Sequence, residues 1–242
     1  MPSALRIAAV TFDAAGTLLE VAQPVGRTYA AIAARHGIPL DATEVEQRFR
    51  AALAAAPPLA FPDSEPDALG EHERAWWKAI VAQAFGAGRG APGFDGCFAE
   101  LFAHYAAPDA WRVYADVEPV LDRLRRRGLR LAVISNFDRR LVGLLAGLGL
   151  AAFFDEVLPS SLAGAAKPAS EIFRRAVASL GVEAGATLHV GDGVGEDVDG
   201  ARAAGLVAVL LDRGARRPPL APGVASLTTL TELLALLDSP HP

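Results

Sequence analysis

The chain has one cysteine, Cys97, in 242 residues, so no intrachain disulfide can staple it and nothing calls for an oxidising compartment. Lysine is almost as scarce: Lys78 and Lys167 stand against a background of arginine, which makes each of them conspicuous. Positive charge is not in excess. The net charge is -5 at pH 7, which removes the electrostatic basis for nucleic acid or an anionic membrane as partner. No apolar run is long enough to span a bilayer, and the N-terminal one is interrupted by Asp13 where a secretory signal would place its small-residue cleavage site. A cytoplasmic location is therefore expected. Internal repeats and low-complexity tracts are also missing. What is there, 52% hydrophobic and 21% charged residues, describes an ordinary globule long enough for one large domain or one domain carrying an insertion.

Ile7 to Phe12 is a continuous apolar run that stops at Asp13 and turns at Gly16, the pattern of a buried parallel strand. After Leu19 the period becomes helical. Helices are expected over Val25 to His36, from an Asp41 or Thr43 cap to about Ala55, over Glu71 to Phe85 with Trp76 and Trp77, and over Phe94 to Tyr105. No strand-like alternation interrupts residues 19 to 105. From Val113 strand and helix alternate: helix Pro119 to Arg127, strand Leu129 to Ile134, a helix capped by Asp138, strand Phe154 to Leu158 and helix Ser170 to Leu180. Strand Thr187 to Val190, helix Asp197 to Ala204, strand Val207 to Leu211 and helix Leu230 to Leu237 follow. The expected class is α/β, a doubly wound parallel sheet built from residues 1–20 and 107–242, with residues 21–106 inserted as an all-helical cap domain.

This order brings the ends of several strands to one sheet edge, where ligands of open α/β folds bind. It gathers Asp13 and Thr17, Ser135 and Asn136, Lys167, and Asp192 with Asp197. Three carboxylates beside one lysine and two hydroxyls are costly to bury without a cation. They suit magnesium and phosphate: a hard divalent cation takes carboxylate oxygens, and a phosphoryl group takes hydroxyls, backbone N–H groups and a fixed positive charge. Asp13 can then act as the nucleophile.

Phe12-Asp13-Ala14-Ala15-Gly16-Thr17-Leu18, Val133-Ile134-Ser135-Asn136, Lys167-Pro168 with Ile172-Phe173, and Gly191-Asp192 with Asp197, Gly200-Ala201 and Ala204-Gly205 resemble the four motifs of the haloacid dehalogenase-like hydrolase superfamily, in order. The helical insertion resembles its C1-type cap. Trp76-Trp77, together with the stretch from Arg130 to Leu141, is similar to the family's domain-containing-protein-3 branch. The resemblance implies a Rossmann-like core and Mg2+ held by Asp13, the Ala15 carbonyl and Asp192, with Asp197 as a further ligand or beside the metal. It implies catalytic roles for Asp13, Thr17, Ser135 and Lys167, phosphate binding by Ser135, Asn136 and Lys167, and a small phosphorylated or otherwise anionic substrate. The assembly expected is a monomer or homodimer.

Position 15 departs from the pattern. Phosphatases of the family carry there an aspartate that protonates the leaving group, and such help is worth roughly 10²- to 10⁴-fold. With Ala15 the expected function is magnesium-dependent phosphoryl transfer through an aspartyl-phosphate on Asp13, weak on ordinary monoesters. Glu20 and His189 are the candidate replacements, read in the first place as a solvated charge and a satisfied strand histidine. The alternative from another class is a non-catalytic metal- and phosphate-binding protein. A phosphonatase-like enzyme would need a cap lysine, and Lys78, in too late a helix, reads as a surface residue. A 2-haloacid dehalogenase-like enzyme would carry an aromatic residue at position 15 and lack the Gly191-Asp192 form.

Overall fold

The computed structural model describes residues 7–238. In chain order, Ala9–Phe12 forms β1 and Leu19–Val21 forms β2; four helices follow, α1 (Val25–Arg35), α2 (Ala42–Ala55), α3 (Leu69–Phe85) and α4 (Phe94–His104). The chain then makes β3 (Trp111–Val113), α5 (Val117–Arg126), β4 (Arg130–Ser135), α6 (Arg140–Gly147), β5 (Glu156–Pro159), a single turn α7 (Ser160–Ala163), and α8 (Ser170–Leu180). It closes with β6 (Thr187–Gly191), a wide turn over Val194–Asp199 leading into α9 (Gly200–Ala203), β7 (Val207–Leu211), β8 (Ala225–Leu227) and α10 (Thr231–Asp238).

All four residues of β1 are buried, because this strand lies inside a six-stranded parallel sheet of order β5-β4-β1-β6-β7-β8. Val10 and Phe12 point to one face with Leu131, Val133, Leu188 and Val190, where α5, α6 and α10 supply Leu121, Leu144 and Leu233. Ile134 and Leu210 point to the other face and meet Ile172 and Phe173 of α8 and Val198 and Ala201 before and in α9. The expected doubly wound architecture is therefore present. The sheet order reverses beside β1, since the chain proceeds from it outward through β4 and β5 and later through β6, β7 and β8. That reversal opens the crevice in which such sheets place their ligands.

Several boundaries differ from the sequence reading. Leu19–Val21 and Trp111–Val113 pair as an antiparallel two-stranded ribbon, and β8 joins the sheet edge; three residues apiece are too short to display a period of two. Helix α5 begins two residues before Pro119, which tolerates a proline in its first turn because the N–H groups there have no intrahelical acceptor. The expected helix from Asp197 starts as the wide turn, closed by the Val198 N–H on the Gly193 carbonyl at 3.2 Å, a five-residue spacing that recurs at functional sites. Asp41 caps α2 as expected, accepting from the Glu44 N–H at 2.9 Å.

Helices α1 to α4 sit between β2 and β3 and share their own apolar cluster, with Tyr29, Val45, Val81, Phe85 and Phe98 in it. Polar clamps tie them to the sheet. Buried Glu73 accepts from the Arg139 N–H (3.0 Å), from Arg139 Nε (2.7 Å) and from Ser161 Oγ (2.6 Å). Ser160 Oγ donates to the Leu59 carbonyl at 2.5 Å. Trp77 Nε1 donates to Asp138 at 2.6 Å.

Glu73→Ala strips these donors of a buried acceptor, and stability is expected to fall by about 2–4 kcal/mol, read as a lower urea midpoint at unchanged slope. The exposed ion pair of Glu44 with Arg48 is the control, with Glu44→Ala expected to change stability by about 0.5 kcal/mol or less. Equal effects in the two variants would show that the clamp does not hold the helices down.

Candidate functional site

Asp13 follows β1 directly, and its N–H donates to the Val190 carbonyl at 2.9 Å; the register pairs Phe12 with Val133 and with Val190. The ends of β1, β4 and β6 are thereby level, and the side chains after them converge. Ser135 Oγ donates to Asp13 Oδ1 at 3.0 Å. Lys167 Nζ reaches the same oxygen at 2.6 Å and Asp197 Oδ1 at 2.5 Å. Lys167 is 4% exposed and Asp13 6%, so the lysine is a buried cation between two carboxylates and not a surface residue.

The loop that carries Lys167 is fixed by Asn136. Its amide donates to the Lys167 carbonyl (2.9 Å) and accepts from the Lys167 N–H (2.8 Å). Both amide heavy atoms of Asn136 are therefore engaged in placing the lysine. Asp197 is held on every side: Lys167 and His189 Nε2 (3.1 Å) meet Oδ1, and the Gly193 N–H meets Oδ2 at 2.8 Å. Gly191 is required beneath it, because a β-carbon there would lie 2.1 Å from Asp197 Cγ.

Burial lifts the Asp13 carboxyl to about 6; Lys167 opposes the rise, and the charges of Asp197 and Asp192 add to it. Burial also raises Asp192, again with Asp197 contributing. Burial works against ionisation of Asp197 too, but Lys167 and the His189 hydrogen bond outweigh it and hold that carboxyl well below its usual range. For Lys167, burial would favour the neutral amine, and the two carboxylates reverse this and raise its pKa. Lys167 and Asp197 thus remain charged and paired, while the raised Asp13 and Asp192 carboxyls are the ones whose anionic form a further cation would stabilise.

A magnesium ion fits that need. Gly16, at φ +87°, lets the Asp192 carboxylate lie against the first loop, where a β-carbon would come within 2.5 Å of Asp192 Oδ2. Among the described residues no three acidic, histidine or cysteine side chains form a metal cluster. The fitting set is two carboxylates, Asp13 and Asp192, with the Ala15 carbonyl, a hard-oxygen combination that suits an ion keeping several waters. Asp197, with its oxygens engaged, belongs beside that set as the anchor of Lys167.

Thr17 is fully buried and its hydroxyl has no hydrogen-bond partner among the described residues. Its carbonyl accepts from Arg213 Nε (3.2 Å) and Nη2 (2.8 Å). Arg213 pairs in turn with Asp116 and lies over the Tyr114 ring, 3.8 Å from its centroid. Sequence reasoning missed Arg213 and Asp116, since nothing in their local patterns links them to residue 17.

Above the first loop lies a cavity of about 420 Å³ whose walls include Ala15, Gly16, Glu20, Trp76, Trp77, Phe102 and Asn136. Of the two candidate replacements for an acid at position 15, Glu20 shares this cavity. His189 does not line it. It is buried with Nδ1 2.8 Å from Thr11 Oγ1 and Nε2 on Asp197, the satisfied strand histidine of the sequence reading. Both tryptophans line the cavity, because neighbouring helix positions differ by about 100° and two indoles bridge that angle. Asp138 does more than cap: besides the Arg140 N–H (2.9 Å) it holds the Arg140 guanidinium and the Trp77 indole. Lys78 is exposed and pairs with Asp95 at 2.7 Å, in keeping with a surface residue.

Lys167→Met removes the shared cation. A carboxyl whose folded pKa is raised adds stability below its unfolded value, 3.8 for Asp13, and that stability is lost as pH rises through the folded value. Without Lys167 the folded value moves further up. In chelator-treated protein the variant is expected to be destabilised by about 3–5 kcal/mol at pH 7.5, with the deficit shrinking towards pH 5 in denaturant titrations. A deficit independent of pH would mean that the lysine acts through packing alone.

A model of the haloacid dehalogenase-like hydrolase family matches residues 7–205. The haloacid dehalogenase-like hydrolase domain-containing protein 3 of Bos taurus is 38% identical over 248 residues, covering 98% of this chain and 96% of that protein. Among solved structures, a HAD phosphatase from Thermococcus onnurineus superposes with a TM-score of 0.69 at 27% identity, covering 98% of this chain and 100% of the other. An L-2-haloacid dehalogenase from Xanthobacter autotrophicus gives 0.71 at 21% identity, covering 96% and 99%, a likeness of fold. With the motif residues in order along the chain and gathered at one sheet edge, the chain belongs to the haloacid dehalogenase-like hydrolase family.

Proposed function

We propose that the protein is a magnesium-dependent phosphohydrolase that works through an aspartyl-phosphate on Asp13, with low activity on ordinary monoesters. The observation that carries this reading is the sharing of Lys167 between Asp13 and Asp197. A lone catalytic carboxylate needs one oxygen fixed and the other available. Asp13 Oδ1 is fixed by Lys167 and Ser135, which leaves Oδ2 to attack.

Asp13, Asp192 and the Ala15 carbonyl would hold magnesium, which when bound supplies charge stabilisation to the phosphoryl oxygens. Asp13 Oδ2 forms a bond to phosphorus as the bond to the leaving oxygen breaks. Ser135 Oγ and Lys167 Nζ stand beside the nucleophile to meet the phosphoryl oxygens, and Thr17 keeps the first loop in place through the contact of its carbonyl with Arg213. Water then attacks phosphorus, releases Asp13 and yields inorganic phosphate, its protons passing to solvent or to Glu20. Because Ala15 offers no proton, the leaving group departs as the anion, which favours acyl phosphates, aryl phosphates or pyrophosphates. Residues between β2 and β3 serve as the lid. Among the described residues no helix is long and apolar enough to cross a membrane, and the single buried Cys97 is in keeping with a reducing, cytoplasmic setting.

Asp13→Asn is expected to lower magnesium-dependent turnover of p-nitrophenyl phosphate at least ~10³-fold, a loss on the scale of removing a nucleophile. In the wild type kcat/KM should fall steeply as the leaving-group pKa rises across a series of aryl and alkyl phosphates. Ala15→Asp should flatten that dependence and raise the alkyl rates about 10²- to 10⁴-fold. Turnover unaffected by Asp13→Asn would overturn the mechanism, and activity confined to Ala15→Asp would identify a binding protein that has lost catalysis.

A further inference from the structure

The cavity over the first loop is unusual in how little free polarity it offers. Trp76 Nε1 donates to the Pro57 carbonyl at 2.9 Å, Trp77 Nε1 to Asp138 at 2.6 Å and Trp111 Nε1 to the Tyr105 carbonyl at 3.1 Å. Every indole donor in the wall is thereby bonded elsewhere; the polar side-chain groups that remain beside the rings are the Tyr29 and Tyr105 hydroxyls and the exposed carboxylate of Glu20. Arg140 is the one cation lining the cavity, and it is spent. Its guanidinium donates twice to buried Asp138 (2.9 and 2.6 Å) and once to the Phe102 carbonyl (2.6 Å), and it stacks on the Phe102 ring at 3.7 Å. Burial pushes up the pKa of the Tyr29 and Tyr105 phenols, that of Tyr105 to about 12, and the buried Tyr105 hydroxyl has no hydrogen-bond partner among the described residues. Asn136 is committed to the Lys167 loop.

We propose that this cavity holds the leaving group of the substrate, and that this group is apolar and uncharged: an aromatic ring or an acyl chain attached to the phosphoryl group. The assignment rests on the phosphohydrolase reading for the identity of the reacting group, but not for the chemistry of the cavity. A sugar leaving group would bury most of its hydroxyls against rings, with Glu20 and two phenols as the remaining side-chain partners, at a loss for each hydroxyl left unpaired. A second anion on the substrate would need a cation in the wall, and Arg140 is neutralised by Asp138. The volume of about 420 Å³ falls within the range of small-molecule sites.

Ala15 gains a second meaning on this view. It is exposed and forms the cavity wall next to Asp13, so an aspartate there would set an ionised group against the apolar leaving group. A methyl at this position extends the aromatic wall to the reacting centre. The missing acid and the apolar cavity are then two sides of one specificity: a substrate whose leaving group needs no proton and presents no polar atoms beyond the bond that breaks.

Binding tests this without turnover. 1-Naphthylmethylphosphonate and methylphosphonate share a non-hydrolysable head and differ in the apolar ring; titration calorimetry in magnesium buffer measures both against wild type. The ring is expected to tighten binding roughly 30- to 100-fold, the scale of burying about one ring of apolar surface. Val81→Trp, which fills the cavity from α3, should abolish that advantage while leaving methylphosphonate affinity within about twofold, the change expected of a site remote from the head group. A phosphonate bearing a carboxylate in place of the ring should bind no better than methylphosphonate. Equal affinity of wild type for the naphthyl and methyl compounds overturns the proposal even if the enzyme is active. Tight, ring-dependent binding without any turnover upholds it and fails the phosphohydrolase reading instead.

Discussion

One buried ammonium group organises the polar edge of this protein's sheet. Lys167 lies between Asp13 and Asp197, and without it two buried carboxylates, one after β1 and one in the turn that follows β6, would repel each other. Everything around it serves to keep it there. Asn136 grips its backbone on both sides, His189 and the Gly193 N–H hold Asp197, and the close packing of Gly191 lets Asp197 approach. A buried ion pair of this kind contributes little net stability, since desolvation offsets much of the attraction. Its function is positional: it orients Asp13 and fixes which of its oxygens is engaged.

Much of this was legible in the sequence, and for a physical reason. Asp13, Ser135 and Asp192 each end or follow an apolar strand, and a strand's end is a place that a linear pattern can mark. The rarity of lysine singled out Lys167 before any geometry was known. The sheet and its flanking helices could be read from apolar periodicity. Less visible were contacts between residues with no local signature. The reach of Arg213 to the Thr17 carbonyl across 196 positions leaves no trace in either segment, and neither does the grip of Glu73 on Arg139 and Ser161. Asp138 read as a cap because its local bond to the Arg140 N–H is of that kind; its bonds to Trp77 and the guanidinium come from folding. Short strands such as β2, β3 and β8 escaped because three residues cannot display a period.

The two halves of the site are chemically opposed. On the sheet side stand carboxylates, an ammonium and a hydroxyl; on the other stand aromatic rings, the indole N–H groups among them bonded elsewhere. Ala15 lies on the boundary, with the Asp13 carboxylate two residues behind it and the cavity in front. The polar clamps at Glu73, Leu59 and Trp77 hold these halves together from the β4 and β5 side, while the chain crosses between them at β2 and β3.

The position of β1 at the centre of the sheet also bears on how the protein is made. Its neighbours β4 and β6 begin at residues 130 and 187, so the strand that leads into Asp13 leaves the ribosome with both edges unpaired. It stays so while more than half of the chain is synthesised. The apolar cluster of α1 to α4 draws its buried residues from Tyr29 to Leu101 and is complete before either partner strand exists. In a growing chain, then, the aromatic half of the site has its residues in hand early. The half built on the sheet edge is assembled late, by non-local pairing of the slow-forming, aggregation-exposed kind.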